Sequence, residues 1–295
     1  MSEKYTHLQD SGIREFLIAG DAFYPANAVN FTMAEQRDFY NKYCAHFRKP
    51  RPASITVTDF KVGAIPCRRY THKSPTAKLL YLHGGGFVVG GLESHDDICA
   101  ELAEGTNVEV TAVQYRLAPE HPFPAAFDDC WAVLKTLGTC IVAGDSAGGN
   151  LAAALSLKAR DENRPHIAGQ VLIYPGLGGD KSKGSYITQA NAPGLTTADV
   201  IYYRDTYKGA GHKYAEPLRE TNYSNLPPAF IVAAGNDPLH DDGPEFAARM
   251  NAAGGQAKVR EEPLLVHAYL RARHMSQPAA ASFQAIIAAI KGFAA

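Results

Sequence analysis

A strand that turns sharply into a helix can present a hydroxyl at its turn only if the neighbouring side chains are nearly absent, because their bulk would otherwise collide there. The chain meets that condition once. The apolar run Cys140-Ile141-Val142-Ala143 gives way to Gly144-Asp145-Ser146-Ala147-Gly148-Gly149-Asn150, and residues 151–160 then read as a helix. Gly144 and Gly148 supply the missing bulk, so Ser146 is the residue the turn presents. A Gly-x-Ser-x-Gly pentapeptide also occurs by chance on surface loops. The strand before this one and the helix behind it mark the seat of a nucleophile, provided the rest of the chain supplies a base, an acid and oxyanion donors.

Those parts follow in a workable order. Acyl transfer needs a base beside the nucleophile, an acid behind the base, and donors aimed at the oxygen where negative charge develops. Asp237 stands directly after the apolar strand 230–234, in Gly235-Asn236-Asp237-Pro238-Leu239, and His267 follows the last expected strand, in Leu264-Leu265-Val266-His267-Ala268-Tyr269. Both positions are carboxyl ends of strands, where active groups collect. Eleven histidines compete for the role of base. His274 lies in a charged segment approaching the last helix, and His95, His121 and His240 precede or begin helices, so His267 is preferred. Asp241 and Asp242 are the alternatives to Asp237, and both read as helix caps. The donors are expected from the backbone: Gly84 and Gly85, in His83-Gly84-Gly85-Gly86 after the apolar run 77–82, and Ala147, at the positive end of the helix behind the serine.

Taken in order, residues 1–54 form two helices, one capped by Ser11 and ended near Pro25, the other opened by the Thr32/Glu35 capping box and burying Phe39, Tyr43 and Phe47. They are read as a cap over the site. Residues 55–295 form a single catalytic domain. Alternating strands over 55–62 and 65–70 lead to the continuously apolar 77–82, which predicts a sheet that begins antiparallel and becomes parallel toward its centre. The long insertion 176–225, rich in tyrosine and carrying a helix over 197–207, is read as a second cap segment. Asp96, Asp97, Asp128 and Asp129 read as helix caps and solvated faces. No metal-ligand or nucleotide-binding spacing is present, so neither metal nor cofactor is expected.

The formal net charge is -1, from 29 Lys plus Arg against 30 Asp plus Glu, and no run of like charge occurs. Nothing in that balance invites nucleic acid or an anionic membrane, and a small uncharged substrate is expected. Five scattered cysteines without C-x-x-C spacing, no signal-peptide pattern and no long apolar run point to the cytoplasm.

His83-Gly84-Gly85-Gly86 upstream of Gly144-Asp145-Ser146-Ala147-Gly148-Gly149, the stretch from Tyr115-Arg116-Leu117-Ala118-Pro119-Glu120 to Ala126, Asp237-Pro238-Leu239 and Val266-His267 together resemble the bacterial hormone-sensitive-lipase-like esterases. The likeness runs from about residue 55 to the end. It implies an α/β-hydrolase fold: a central, mostly parallel, eight-stranded sheet flanked by helices, with a helical cap. It also implies Ser146, Asp237 and His267 as triad, Gly84, Gly85 and Ala147 as oxyanion hole, and a carboxylesterase of short- to medium-chain acyl esters working through an acyl-enzyme. A homodimer joined through the last strand and helix is implied as well. Two features depart from the family's pattern: the segment between Trp131 and Cys140 is short, and Ala268-Tyr269 stand where Gly-Phe is usual. An amidase with the same triad is the close alternative, and a non-catalytic binding protein on the same scaffold is the alternative of another class.

Overall fold

The computed structural model describes residues 4–23, 31–164 and 166–295. The chain enters through α1 (Ser11–Asp21) and α2 (Met33–Phe47). The cap of α1 is Asp10, one residue before the expected Ser11: its carboxylate accepts from Ile13 N at 2.8 Å. Pro25, expected to end this helix, lies outside the described residues. In α2 the Thr32/Glu35 capping box is present in both directions. Phe47 is buried there, whereas Phe39 and Tyr43 are half-buried and turn to a cavity.

Eight strands follow, interleaved with helices: β1 (Thr56–Val62), β2 (Ile65–Thr71), β3 (Lys78–Leu82), α3 (Asp96–Thr106), β4 (Glu109–Val113), α4 (Ala125–Leu137), β5 (Cys140–Asp145), α5 (Ala147–Asp161), β6 (Ile167–Ile173), α6 (Ser185–Thr188), α7 (Thr197–Tyr207), β7 (Ala229–Asn236), α8 (Asp242–Ala252), β8 (Ala257–Val266) and α9 (Gln277–Ala294). They form one sheet in the order β1-β2-β4-β3-β5-β6-β7-β8. The β1–β2 and β2–β4 pairs are antiparallel and every other pair is parallel, so the sheet changes direction where the alternating sequence becomes continuously apolar.

Period-two side-chain alternation divides the core into two layers. Leu80, Leu82, Val142 and Ile231 pack with α4, α5 and α8 on one face. Leu79, Tyr81, Ile141 and Val232 pack with α3 and α9 on the other, where α1 also docks through Ile13, Phe16 and Leu17. This is the α/β-hydrolase arrangement with a helical cap region. The short segment noted in the sequence is the link from α4 to β5, which consists of Gly138, at φ 72°, and Thr139. All five cysteines are free thiols and buried. Burial pushes Cys44 and Cys67 up to about 11 and Cys140 up to about 12.

Several acids read as caps or solvated residues do other work. Asp96 is buried and pairs with Arg51 and Arg68. Asp97 pairs with Arg273 at 2.6 Å, and Asp129 with Arg116 at 2.7 Å. Each is close in sequence to a helix start but meets a basic partner distant along the chain, which no local pattern encodes.

Candidate active site

The turn after β5 is tight enough to hold Ser146 at φ 55°, ψ -118°. Side chains at its two flanking glycines would not fit: a Cβ on Gly144 would come within 2.3 Å of Gly148 O, and one on Gly148 within 1.9 Å of Leu82 O. The serine backbone is tied to the neighbouring strand through Ser146 N donating to Ile173 O at 2.9 Å. The chain then enters α5, whose first N–H groups have no helical acceptor.

Three strand ends converge here. Asp237 and His267 follow adjacent strands, β7 and β8, whose register shifts between Ala234 and Asn236, pairing Asn236 with Val266. His267 Nδ1 lies 2.6 Å from Asp237 Oδ2, and its Nε2 lies 2.9 Å from Ser146 Oγ. Asp237 is fully buried, and its other oxygen accepts from Leu239 N at 2.9 Å. A carboxylate facing Nδ1 selects the tautomer with the proton on Nδ1, which leaves the Nε2 lone pair for the serine hydroxyl. The structure thus brings together the serine, acid and base named from the sequence. The competitors are elsewhere: His274 faces Glu101 at 2.9 Å, and Asp241 accepts from Ser185 N at 2.8 Å. Asp242 is buried, accepting from Leu177 N and from the Tyr186 hydroxyl, so it fastens the 176–225 insertion rather than capping its own helix.

The expected oxyanion donor Gly84 is corrected by the geometry. Its N–H already donates to Asp145 Oδ1 at 3.1 Å, so it is unavailable to a substrate. Gly85, Gly86 and Ala147 line the cavity instead, and the N–H groups of Gly85 and Gly86 have no protein acceptor among the described residues. Gly86 could have been found from the sequence by asking which glycines lie beyond the strand's own hydrogen bonding.

Asp145 was also missed. Its carboxylate, directly before the nucleophile, accepts from the Tyr81 hydroxyl at 2.8 Å as well as from Gly84, and faces His95 Nε2 at 3.2 Å. Burial opposes its ionisation, but His95 and the Tyr81 hydroxyl outweigh that and hold the carboxyl well below the usual range. It joins the oxyanion loop to the nucleophile turn. Beneath the loop, His83 is pushed down to about 3 by burial and by His95, so it is neutral. Its ring stacks on Tyr115 at 4.1 Å.

The serine opens into a cavity of about 450 Å³ whose walls combine Phe39, Tyr40 and Tyr43 from α2 with Tyr186, Tyr202 and Tyr203 from the 176–225 insertion. Among the described residues no group of His, Cys, Asp and Glu is placed to hold a metal ion, and no helix is long and apolar enough to cross a membrane.

Comparison with known proteins agrees with this geometry. A family model described as alpha/beta hydrolase fold matches residues 79–271. Esterase LipI of Mycobacterium tuberculosis is 41% identical over 248 residues, covering 76% of this chain and 78% of that protein. The solved structure of a hyperthermophilic esterase from the archaeon Pyrobaculum calidifontis is 29% identical and superposes with a TM-score of 0.88, covering 97% of this chain and 99% of that one. An esterase from the bacterial hormone-sensitive lipase family superposes equally well, with a TM-score of 0.88 over 97% of this chain and 99% of that chain, at 23% identity, a likeness of fold alone.

Proposed function

Because the chain belongs to the α/β-hydrolase fold family, as a serine esterase related to the bacterial hormone-sensitive-lipase group, we propose that Ser146, His267 and Asp237 are its catalytic triad. The observation that carries this reading is the unbroken line of contacts from Asp237 through His267 to Ser146, in a cavity also lined by Gly85 and Gly86, whose N–H groups have no protein acceptor among the described residues. Ser146 Oγ attacks the ester carbonyl carbon while His267 Nε2 takes the hydroxyl proton. The carbonyl oxygen becomes an oxyanion held by the loop N–H groups of Gly85 and Gly86 and by that of Ala147, which sits at the start of α5 where the dipole favours negative charge. The tetrahedral adduct collapses as His267 passes its proton to the leaving alcohol. Water, deprotonated by His267, then attacks the acyl-enzyme and releases the carboxylic acid with Ser146 restored.

The substrates proposed are dissolved esters with short to medium acyl chains, in keeping with a cavity walled by aromatic rings. Residues 1–54 and 176–225 are proposed as the two cap segments over the catalytic domain 55–295. A cytoplasmic homodimer joined through β8 and α9 completes the reading, which the five free thiols and the position of β8 at the sheet edge support.

The test is hydrolysis of p-nitrophenyl esters from acetyl to palmitoyl beside Ser146→Ala. A maximum at short to medium chains, with turnover falling by about 10⁴-fold or more in the folded variant, is expected. A variant that keeps its rate would remove Ser146 from the assignment, and silence toward esters with cleavage of the matching anilides would identify an amidase.

A further inference from the structure

The oxyanion loop is held in a costly backbone conformation. Gly85, Gly86 and Phe87 follow one another at φ 121°, 59° and 64°. A phenylalanine in the left-handed region persists only where its surroundings over-determine it. Within the loop, Val88 N and Val89 N both donate to Gly85 O at 3.0 Å. From outside, Phe87 O accepts from Ala118 N at 2.9 Å, which ties the loop to the segment after β4. Neither set of bonds joins the loop to the cap.

Stacking of Phe87 on Tyr207, ring centroids 3.7 Å apart, joins the loop to the 176–225 insertion, and a side chain of α2 joins it to the N-terminal helices. Arg37, on α2, donates from Nε to Val88 O at 2.9 Å and from Nη2 to Ala118 O at 3.0 Å. Its two terminal nitrogens also form a fork on Glu120, at 2.9 and 2.6 Å. The planar guanidinium therefore spans the oxyanion loop and the segment that supports it, with the carboxylate fixing the plane. Glu120 is about half exposed, at 49%, so this ion pair contributes orientation more than stability. One turn along the same helix, Tyr40 OH accepts from Arg271, which lies just past His267, at 3.0 Å. A single cap helix thus reaches both the loop with the oxyanion donors and the loop with the base.

We propose that Arg37 is a positioning residue for the oxyanion hole: by clamping Val88 O and Ala118 O together it keeps the Gly85 and Gly86 N–H groups aimed above Ser146. The N-terminal cap is then part of the catalytic frame as well as a wall of the substrate cavity. A lysine cannot replace it, because an ammonium lacks the fork that meets two carbonyls and a carboxylate in one plane. The donors matter most to the charged oxyanion and least to the bound ester, so the loss falls on kcat.

This inference rests on the triad reading, and its experiment separates the two. Wild type, Arg37→Met and Arg37→Lys are compared for kcat and KM on p-nitrophenyl butyrate, for labelling of Ser146 by a fluorophosphonate, and for thermal unfolding. Both variants are expected to lose about 10- to 100-fold in kcat, and a similar factor in labelling rate, with KM within about threefold of wild type. Arg37→Lys keeps a cation facing Glu120 and carries the test if Arg37→Met does not fold. Unchanged kcat in a folded variant, or a loss confined to KM, overturns the proposal while leaving Ser146 in place. Failure of the fluorophosphonate to label wild-type Ser146 overturns the triad reading and this inference with it.

Discussion

Ser146, directly after β5, and Ala268, directly after His267, both have a positive φ, and the chain treats them differently. At Ser146 the conformation costs on the order of 1–3 kcal/mol and is imposed by the close approach of Gly144, Gly148 and Leu82. The strain there aims a hydroxyl. At Ala268, φ 61° and ψ 17° follow directly on His267. No functional atom of Ala268 requires that strain. Ala268→Gly is therefore expected to raise stability by up to about 1 kcal/mol, read as a shift in the urea midpoint, because glycine adopts this region without a Cβ penalty. A fall in midpoint would show that the methyl group contributes packing that outweighs its strain.

At the scale of elements, α8 begins with a buried carboxylate that holds the 176–225 insertion. Asp242 accepts from Leu177 N at 2.6 Å, from Gly179 N at 3.3 Å and from the Tyr186 hydroxyl at 3.0 Å. Burial nevertheless wins and pushes it up to about 6. A carboxyl whose folded value lies above its unfolded value binds protons more readily in the native state. Its contribution is fully present below the unfolded value and is lost as the pH rises through the folded one, a change of about 3 kcal/mol between pH 4 and pH 7. Asp242→Asn retains an oxygen for the two backbone donors and has no charge to bury. Denaturant unfolding of the variant is expected to show a flatter pH dependence over that interval, with stability at neutral pH equal to or above that of wild type. Retention of the wild-type slope would assign the dependence to other groups.

The same elements show what the sequence could and could not disclose. The strands and α2 are legible from periodicity and capping, and Ser146, Asp237 and His267 from their places after strands. Asp242, Asp96 and Asp97 are not, because a carboxylate at a helix start looks the same whether it caps its own helix or meets Tyr186, Arg51 or Arg273 from across the fold. Gly84 failed as an oxyanion donor for a related reason. Its N–H is taken by Asp145, a neighbour only after β3 and β5 have paired.

Across the whole molecule, the sheet ends at β8, which pairs only with β7. Lys258 and Glu261 are exposed along it and Arg260 is half-buried, so this edge strand carries charge of both signs. Such an edge can accept a second copy of itself while discouraging indiscriminate pairing. If the proposed dimer uses it, light scattering should return twice the 31.8-kDa chain mass. Val259→Pro, which removes a backbone N–H from the first half of β8, should shift the mass toward one chain. A wild-type protein that scatters as a single chain at micromolar concentration would exclude the dimer.

The five buried thiols bear on the chemistry of this molecule in solution. A thiolate is the form that attacks electrophiles and yields to peroxide, and burial holds the sulfur atoms protonated at neutral pH, with Cys99 and Cys130 pushed well up and Cys140 up to about 12. A chain with five cysteines is therefore expected to resist mild oxidants and alkylating agents at neutral pH, which a thiol count with Ellman's reagent on the folded and the unfolded protein checks.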